Sequence, residues 1–240
     1  MEFDYIVVGA GSAGCVLANH LTSDASNRVL LLEAGPDNTA LSLKMPAAVL
    51  SNLNSTKHNW AFQGEPEPEL NGRRIQHDRG KTLGGSSSIN GMVFIRGHAL
   101  DYEGWRQAGC PGWGYADVLP YFRRMEHSHG GEAAWRGTNG PLHVTRGPRD
   151  NPLHDAFVSA SQQAGYTATP DYNGYRQEGF GPADMTVYKG RRWSTANAYL
   201  RPALKRGNVQ LEKGALVDRI IFEGNRAVGI DYFQNGTRHR

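Results

Sequence analysis

Three glycines near the N-terminus, Gly9, Gly11 and Gly14, have the G-x-G-x-x-G spacing of a loop that binds the pyrophosphate of a dinucleotide. In such a loop the first glycine permits a tight turn, the second lets the backbone approach a phosphate, and the third lets a helix pack closely on a strand. Glu33 follows Gly14 by nineteen residues, where a carboxylate can accept hydrogen bonds from the hydroxyls of an adenosine ribose. The same carboxylate would repel a 2′-phosphate, which disfavours NADP.

The elements around these glycines are those that a nucleotide-binding loop requires. Residues 5–8 form an apolar, β-branched run typical of a strand buried on both faces, and residues 28–33 form a second such run that ends in Glu33. Between them lies the glycine loop of residues 9–14, whose Ser12 and Ala13 are also expected to contact the cofactor, and then a helical pattern of Val16, Leu17, Ala18 and Leu21. The N-terminus of this helix would offer its free N–H groups to phosphates. This βαβ unit predicts a Rossmann-like α/β fold that binds FAD or NAD, and by itself it does not decide between the two.

A second glycine-rich stretch, GKTLGGSSSINGMVFIRG at residues 80–97, resembles the first signature of the glucose–methanol–choline (GMC) oxidoreductases, which are FAD-dependent alcohol dehydrogenases and oxidases. The resemblance continues in HNWAFQGEPEPELNGRR before this stretch and in EGFGP, RRWSTANAYLRPAL and GALVDRIIFEGNRAVGIDY after it. It therefore covers essentially the whole chain, and it is strongest to the bacterial choline-dehydrogenase-like branch.

The resemblance implies that the stretch passes along the flavin and the pyrophosphate of FAD. We expect the backbone N–H groups of Gly84 and Gly85 to converge on phosphate oxygens, as in an anion-binding nest. The segment expected against the isoalloxazine ring, where little side-chain bulk fits and backbone dipoles tune the ring, is Asn90, Gly91, Met92 and Val93. The alternative is a purely structural glycine turn between a helix and a strand.

Two further residues would contact the adenine end of FAD if the resemblance holds. Trp60 should lie near the adenine, and the backbone of Val217 should contact and recognise the adenine. From the residues alone, Trp60 is equally well an ordinary core aromatic, and Val217 is simply an alternating strand residue.

The resemblance also bears on how FAD is held. Some choline-oxidising relatives attach FAD covalently through a histidine just before the asparagine, and this chain has Ile89 there. Because an aliphatic side chain cannot form that bond, we expect non-covalent FAD.

The rest of the chain predicts three regions. We expect an FAD-binding domain at 1–145 whose excursion at 36–78 covers the flavin or an interface, part of an α+β substrate-binding domain at 146–205, and a return to the first domain at 206–240. The expected helices include 152–166, an amphipathic segment with Gly165 at its C-terminus, and 192–207. We expect strands at 141–146, at 183–190 and, as a hairpin-like meander turning at Gly224–Asn225, at 209–233.

Composition excludes several classes of protein. Of the 240 residues 39% are hydrophobic and 20% charged, and the net charge is +3 without a basic cluster, so the chain is globular and not a nucleic-acid-binding protein. Its two cysteines are too few for a disulfide framework, and Cys15 should be a small buried side chain. The histidines lack a metal-ligand spacing such as H-E-x-x-H, so we expect no metal. With no signal peptide and no membrane-spanning segment, we expect a cytoplasmic protein, and peripheral association with the inner membrane stays open.

The implied activity is oxidation of the CH–OH group of a small alcohol, choline among the candidates, with hydride transfer to flavin N5 and with oxygen or a quinone as acceptor. Family members are considerably longer and carry the catalytic histidine near their C-terminus. We therefore expect a fragment with no catalytic residue before Arg240, inactive and poorly soluble or weakly FAD-binding when made alone. The alternatives are a non-catalytic flavin-binding remnant and, leaving residues 80–97 unexplained, an NAD-dependent dehydrogenase.

Overall fold

The structure is a computed structural model that describes residues 2–148 and 150–240. The chain forms two compact units. The first contains the chain up to Gly91 together with Gly190–Arg240, and the second is Met92–Lys189.

The helices and strands alternate along much of the chain. The α-helices are α1 Ser12–Leu21, α2 Leu41–Lys44, α3 Val49–Leu53, α4 Ala99–Gln107, α5 Tyr115–Met125, α6 Pro152–Gln163 and α7 Arg201–Arg206. The strands are β1 Tyr5–Val8, β2 Val29–Glu33, β3 Phe62–Glu67, β4 Arg73–His77, β5 Val93–Phe94, β6 Glu126–Ser128, β7 Leu142–Arg146, β8 Asp184–Met185, β9 Val187–Tyr188, β10 Arg191–Arg192, β11 Val209–Lys213, β12 Ala215–Glu223, β13 Arg226–Gln234 and β14 Thr237–His239.

The first unit is organised by a parallel sheet in the order β1-β2-β11. Strand β2 is central and buried along its whole length, with Val29 opposite both Tyr5 and Val209. Its leucines and valine suit a strand covered on both faces. The predicted βαβ unit is therefore confirmed, with Gly14, Cys15 and Ala18 of α1 buried.

Two expectations about this sheet are wrong. Strand β1 is at the edge of the described sheet and is not buried on both faces, because Tyr5 is 44% and Val8 52% exposed while only Val7 is buried. The segment at 209–213 is not part of a meander, because β11 runs parallel to β2. Such a long-range parallel pairing leaves no local turn signal in the sequence.

The antiparallel meander of the first unit consists of β12, β13 and β14. It turns at Gly224–Asn225 as predicted. Its inner side is a small apolar cluster of Leu30, Leu32, Ala215 and Ile230, which ties the meander to β2.

The excursion at 36–78 consists of α2, α3 and the β3–β4 hairpin. The hairpin is exposed along almost all of its length. Near the end of the unit, residues 192–207 are largely helical as predicted: a π-helical turn, Ala196–Leu200, leads into α7, and Gly207 ends it with φ 84°.

The second unit contains a mixed sheet in the order β5-β8-β7-β6. Strand β7 runs parallel to β6 and antiparallel to β8. Strands β7 and β8 bring the segments that contain β5 and β6 into the same unit, and the predicted domain boundaries after 145 and 205 stay predictions. Local sequence patterns do not record these pairings.

Charged side chains fill part of the interior of the second unit. Glu126 is fully buried and accepts hydrogen bonds at 2.9 Å from both Arg96 and Arg136. Arg136 also donates to Asp171 and Asp184, each at 2.7 Å. Buried charges of this kind are tolerated because each is paired and hydrogen-bonded.

Helix α6 confirms the predicted helix at 152–166, and Gly165, with φ 86°, follows its C-terminus. Its apolar side is less buried than the pattern indicated, because Leu153 is 73% and Phe157 64% exposed. Phe157 contacts only the edge of Phe180 among the aromatic pairs described, with ring centroids 5.4 Å apart. No helix within the described residues is long and apolar enough to span a membrane.

Candidate functional site

The first glycine loop joins β1 to α1 in the way its spacing predicts. Gly9 has φ 87° and donates its N–H to Leu32 O at 2.7 Å, which fixes the turn against β2. A Cβ on Gly14 would lie 1.9 Å from Gly9 O, so only glycine lets α1 approach the turn this closely.

Gly11 is a glycine for a different reason. A Cβ on this residue would meet no atom within 4 Å, and its φ is −74°, so neither packing nor backbone strain requires glycine there. Its side-chain position is open space beside the N-terminus of α1, which has no side-chain cap and no acidic residue in its first turn. Ser12 and Ala13 form that turn, and its N–H groups and positive dipole end are available to an anion.

Glu33 is the last residue of β2, and only 6% of it is exposed to solvent. One carboxylate oxygen accepts the N–H of Ala10 and the other accepts the N–H of Gly35, both at 2.8 Å. Burial raises the pKa of Glu33, and the two N–H groups oppose that change. The carboxylate therefore holds the glycine loop in place as well as facing the cleft, a role that the sequence spacing does not reveal.

The second glycine loop packs directly on the first. Gly84 and Gly85 have φ 88° and 53°, and a Cβ on Gly85 would lie 2.7 Å from Gly11 Cα. The N–H of Gly84 donates to Ala10 O at 2.7 Å, and that of Gly85 donates to Thr82 O at 2.8 Å. The expectation that both groups converge on phosphate oxygens is thus not met, since each already has a protein acceptor.

The side chains of the serines that follow hydrogen-bond to the backbone of the protein. Ser88 donates to Leu83 O at 2.7 Å, and Ser86 accepts the N–H of Gly80 at 3.0 Å. Ser87 accepts the N–H of Thr195 at 3.0 Å. Cys15 is also inert: burial raises the pKa of its thiol to about 11, and Sγ donates to Ala10 O.

One cleft of about 290 Å³ lies beside these loops. Of the residues predicted to bind the cofactor, it brings together Gly9, Gly11, Glu33, Trp60, Gly85 and Val217. The cleft is also lined by Val8, Leu32, Ala34, Gly80, Ala215 and Leu216. Trp60, Glu33 and Val217 are far apart in the sequence, and the fold brings them to the same cleft.

Trp60 is half-buried and lies two residues before the start of β3. Its ring stacks on that of Phe62, with ring centroids 5.6 Å apart. Lys81 places Nζ 4.4 Å from the centre of the indole ring, a cation–π contact that stabilises the orientation of the ring. Val217 precedes a register shift in the β12–β13 ladder, between its own pairing and that of Arg219. Such a bulge interrupts the regular hydrogen bonding of the strand beside the cleft.

Asn90 is held by a buried cation that the sequence patterns did not single out. Arg192 donates through Nη1 to Asn90 O at 2.6 Å and to Asn90 Oδ1 at 2.8 Å. It is 2% exposed, and burial lowers its pKa to about 10. Its Nε and Nη2 have no hydrogen-bond acceptor among the described residues, so they can donate to an electron-rich ligand.

The remaining predicted flavin contacts are divided between the two units. Gly91 ends the first segment of the first unit, and a Cβ there would meet no atom within 4 Å. Met92 and Val93 belong to the second unit, where Met92 is buried with φ 62° and Val93 is 59% exposed. Met92 O accepts the N–H of Thr186 at 2.8 Å.

Comparison with known proteins shows the family of the chain. The family model of the GMC oxidoreductases matches residues 3–240. The chain belongs to the GMC oxidoreductase family. The resemblance of residues 80–97 to the family signature is thereby confirmed.

Relatives within this family are similar over nearly the whole chain. The oxygen-dependent choline dehydrogenase of Sinorhizobium fredii is 55% identical over 236 residues, which are 98% of this chain and 43% of the relative. The enzyme of the same description from Brucella ovis is 55% identical over 231 residues, 96% of this chain and 42% of the relative. The similarity to the choline-dehydrogenase-like branch is confirmed, and the chain spans less than half the length of these GMC relatives.

Solved structures confirm the α/β fold class of this GMC chain. Pyridoxine 4-oxidase from Mesorbium loti superposes with a TM-score of 0.94 at 31% identity, covering 99% of this chain and 47% of that one. An FAD-dependent oxidoreductase from Chaetomium thermophilum superposes with a TM-score of 0.88 at 26% identity, covering 99% and 43%. FAD, the cofactor expected from the sequence, is the cofactor of the family.

Proposed function

We propose that this chain forms the FAD cradle of an oxidoreductase that acts on the CH–OH group of a small alcohol. FAD would lie in the cleft of the first unit without a covalent bond to the protein. The observation that carries the proposal is the cleft itself, in which the carboxylate of Glu33, the open space at Gly11 and the indole of Trp60 meet in a GMC chain.

The residues of the cleft fit the chemical groups of FAD. Glu33 can still accept ribose hydroxyls, because each carboxylate oxygen has lone pairs beyond the one that its backbone N–H uses. The first turn of α1 at Ser12 and Ala13 would bind the pyrophosphate. Trp60 and the bulged backbone at Val217 would bind the adenine.

Bound FAD supplies an acceptor for the hydride that leaves the α-carbon of the alcohol. The part of this chain expected beside the ring is the loop from Asn90 to Val93, with Asn90 oriented by Arg192. Arg192 keeps a positive charge out of water at this loop, and a fixed buried charge favours the electron-rich form of a neighbouring group. We assign no general base to the described residues.

The choice of alcohol follows from the relatives. Because the similar enzymes are described as oxygen-dependent choline dehydrogenases, choline with oxygen is the first pair to test, and a quinone or dye is the alternative acceptor. We propose that residues of the second unit form part of the substrate-binding surface. We also propose that the protein is cytoplasmic, with peripheral association with the inner membrane as the alternative.

Titration of the purified protein that contains this chain with FAD tests the proposal. We expect saturable binding of one FAD and much weaker binding of NAD. Binding is measured by the quenching of tryptophan fluorescence. Gly11→Ala is the matched variant, because its methyl group would enter the cleft without touching another protein atom. A colourless protein that binds NAD would favour the dehydrogenase alternative and overturn the FAD proposal.

Activity requires a separate experiment. Choline and primary alcohols are supplied to the protein that contains this chain, and reduction of a dye and consumption of oxygen are followed. FAD binding without turnover of any alcohol would favour the non-catalytic alternative, in which the cleft holds a flavin but no alcohol is oxidised.

A further inference from the structure

Three histidines of the second unit lie together on one face of its sheet. His127 is in β6 and His143 in β7, and the parallel register pairs them directly. His129 follows His127 by two residues, so it projects to the same side of the strand, and its N–H donates to Val144 O at 3.2 Å. The opposite side of both strands is the interior, where Glu126, Ser128, Leu142 and Val144 are buried.

The imidazole nitrogens of this His cluster, defined as His127, His129 and His143, converge. One ligand atom from each ring lies within 4.8 Å of those from the other two. Nε2 of His129 is 3.3 Å from Nδ1 of His143. Two of the rings are half-buried and one is exposed, so solvent reaches the cluster.

The surroundings of the cluster hold the rings in place. Tyr188 stacks on His143, with ring centroids 3.7 Å apart and planes 7° apart. The Lys189 ammonium lies 5.3 Å from the centre of the Tyr188 ring.

We propose that the His cluster binds one divalent transition-metal ion, with Zn²⁺ as the first candidate. Three imidazole nitrogens are a ligand set of borderline softness, suited to Zn²⁺, Ni²⁺ and Cu²⁺ and poorly suited to Mg²⁺ or Ca²⁺. The fourth position of a tetrahedral Zn²⁺ would hold water or an external ligand.

Metal binding requires a small local movement. With Zn–N bonds of about 2.0–2.1 Å, tetrahedral geometry brings ligand nitrogens to about 3.3 Å from one another. The pair His129 and His143 already has this separation. The ligand atom of His127 lies within 4.8 Å of the other two, and a movement of its side chain would bring it to the distance that the metal requires.

The sequence did not predict this site because its spacing is not local. His127-x-His129 places two rings on one side of a strand, but the third ligand comes from the neighbouring strand. A helical spacing such as H-E-x-x-H does not describe a set of ligands that the pairing of parallel strands brings together.

Competition with a chromophoric zinc chelator at neutral pH tests the proposal on the folded protein that contains this chain. We expect one Zn²⁺ per chain, and a loss of affinity of about 10-fold or more in His127→Gln, His129→Gln and His143→Gln. His154→Gln is the matched control, because His154 is in the same unit but outside the cluster, and its affinity should equal that of the parent. Lys189→Met should tighten binding, since it removes a neighbouring positive charge.

His129→Gln keeps the test decisive if the other variants misfold, because this side chain is exposed. Zinc should also raise the melting temperature of the parent and of His154→Gln, but not that of His129→Gln. Absence of zinc binding, or equal affinity in the parent and His129→Gln, would overturn the site and leave the cluster as stacked imidazoles only. The measurement needs no flavin, so its outcome is independent of the proposed FAD cleft.

Discussion

The Cα of Gly11 lies 2.7 Å from the position that a Cβ on Gly85 would occupy. The two glycine-rich segments of the chain are therefore one structural unit, in which the second loop covers the first. Gly84 strengthens this contact by donating its N–H to Ala10 O. Gly85 is needed because the backbone of this loop approaches the backbone of the nucleotide loop.

Alanine substitutions should separate the glycines required for folding from the one required for binding. In Gly14→Ala the new methyl group would meet Gly9 O at 1.9 Å, and we expect a loss of about 1–3 kcal/mol in the free energy of unfolding. Gly11→Ala should leave that free energy within about 0.5 kcal/mol of the parent. Its affinity for FAD should nevertheless fall about 10-fold, or about 1.4 kcal/mol.

Urea denaturation and flavin titration of both variants provide the two measurements. Gly85→Ala should lower the free energy of unfolding as Gly14→Ala does, because its methyl group would meet backbone atoms and its φ is 53°. If Gly11→Ala bound FAD as tightly as the parent, the open space at Gly11 would not be the pyrophosphate position.

Glu33→Ala should weaken FAD binding by about 1.5–3 kcal/mol, the range for hydrogen bonds to a charged group. Glu33→Gln should lose less affinity, since one acceptor oxygen survives. Both variants should also be less stable, because the N–H groups of Ala10 and Gly35 depend on the two carboxylate oxygens. In Glu33→Gln the amide NH₂ would have to face one of these donors.

Calorimetric FAD titration at a temperature where each Glu33 variant is fully folded separates binding from stability. Unchanged affinity in both variants would mean that Glu33 does not reach the ribose. Its function would then be limited to holding the glycine loop.

The flavin should be released when the protein is denatured. Ile89 occupies the position of the linking histidine of some relatives, and its side chain is 2% exposed and aliphatic. Acid precipitation should therefore leave yellow FAD in the supernatant, and a denaturing gel should show no fluorescent band at the mass of the chain. A fluorescent band would mean that another residue forms a covalent bond.

Local patterns predicted the elements of the site better than their arrangement. The G-x-G-x-x-G spacing and the acidic end of β2 predicted a βαβ unit that the structure contains, because these features depend on neighbours in the sequence. The parallel pairing of β11 with β2, and that of β6 with β7, involve distant segments and were not predicted. The unit boundary near Met92 and the His cluster both result from such pairings.

The sequence did not predict two further features of the site, the second function of Glu33 and the burial of Arg192. The spacing predicts that Glu33 binds the ribose, but its hydrogen bonds to Ala10 and Gly35 depend on the tertiary approach of two loops. Arg192 stands in a polar, basic stretch that suggests a surface position, yet it is buried against Asn90. A signal for it exists only in the family motif RRWSTANAYLRPAL, which contains it.

Replacement of Arg136 should destabilise the second unit strongly. Its guanidinium is 1% exposed and pairs with Glu126, Asp171 and Asp184. Arg136→Met leaves these buried carboxylates short of a partner, and breaking a buried pair in this way costs about 3–5 kcal/mol. Arg74→Met is the control, since Arg74 and Glu65 form an exposed pair at 3.7 Å, and such pairs contribute about 0–1 kcal/mol. Equal melting temperatures in the two variants would contradict a structural function for the buried network.

Acid should weaken the meander of the first unit through Asp231. This carboxylate is 1% exposed and accepts hydrogen bonds from Arg240, Arg219 and Arg238. The hydrogen bond from Arg240 is the largest of the effects that hold the pKa of Asp231 well below its usual range. A carboxyl group whose pKa is depressed by folding stabilises the protein at a pH above the pKa of the unfolded chain, about 3.9. That stabilisation is lost as the pH falls below this value towards the folded pKa.

Unfolding free energies measured from pH 6 down to pH 2, about two units on either side of the unfolded pKa, should therefore fall less steeply for Asp231→Asn than for the parent. The asparagine variant should be less stable than the parent at pH 6 and approach it in acid, because protonation removes the same charge from the parent. Asp218→Asn is the matched control, since this exposed carboxylate of the same strand pair lies 3.9 Å from Arg238. It should keep the slope of the parent. Parallel curves for the parent and Asp231→Asn would mean that the three arginines do not favour the ionised form of Asp231.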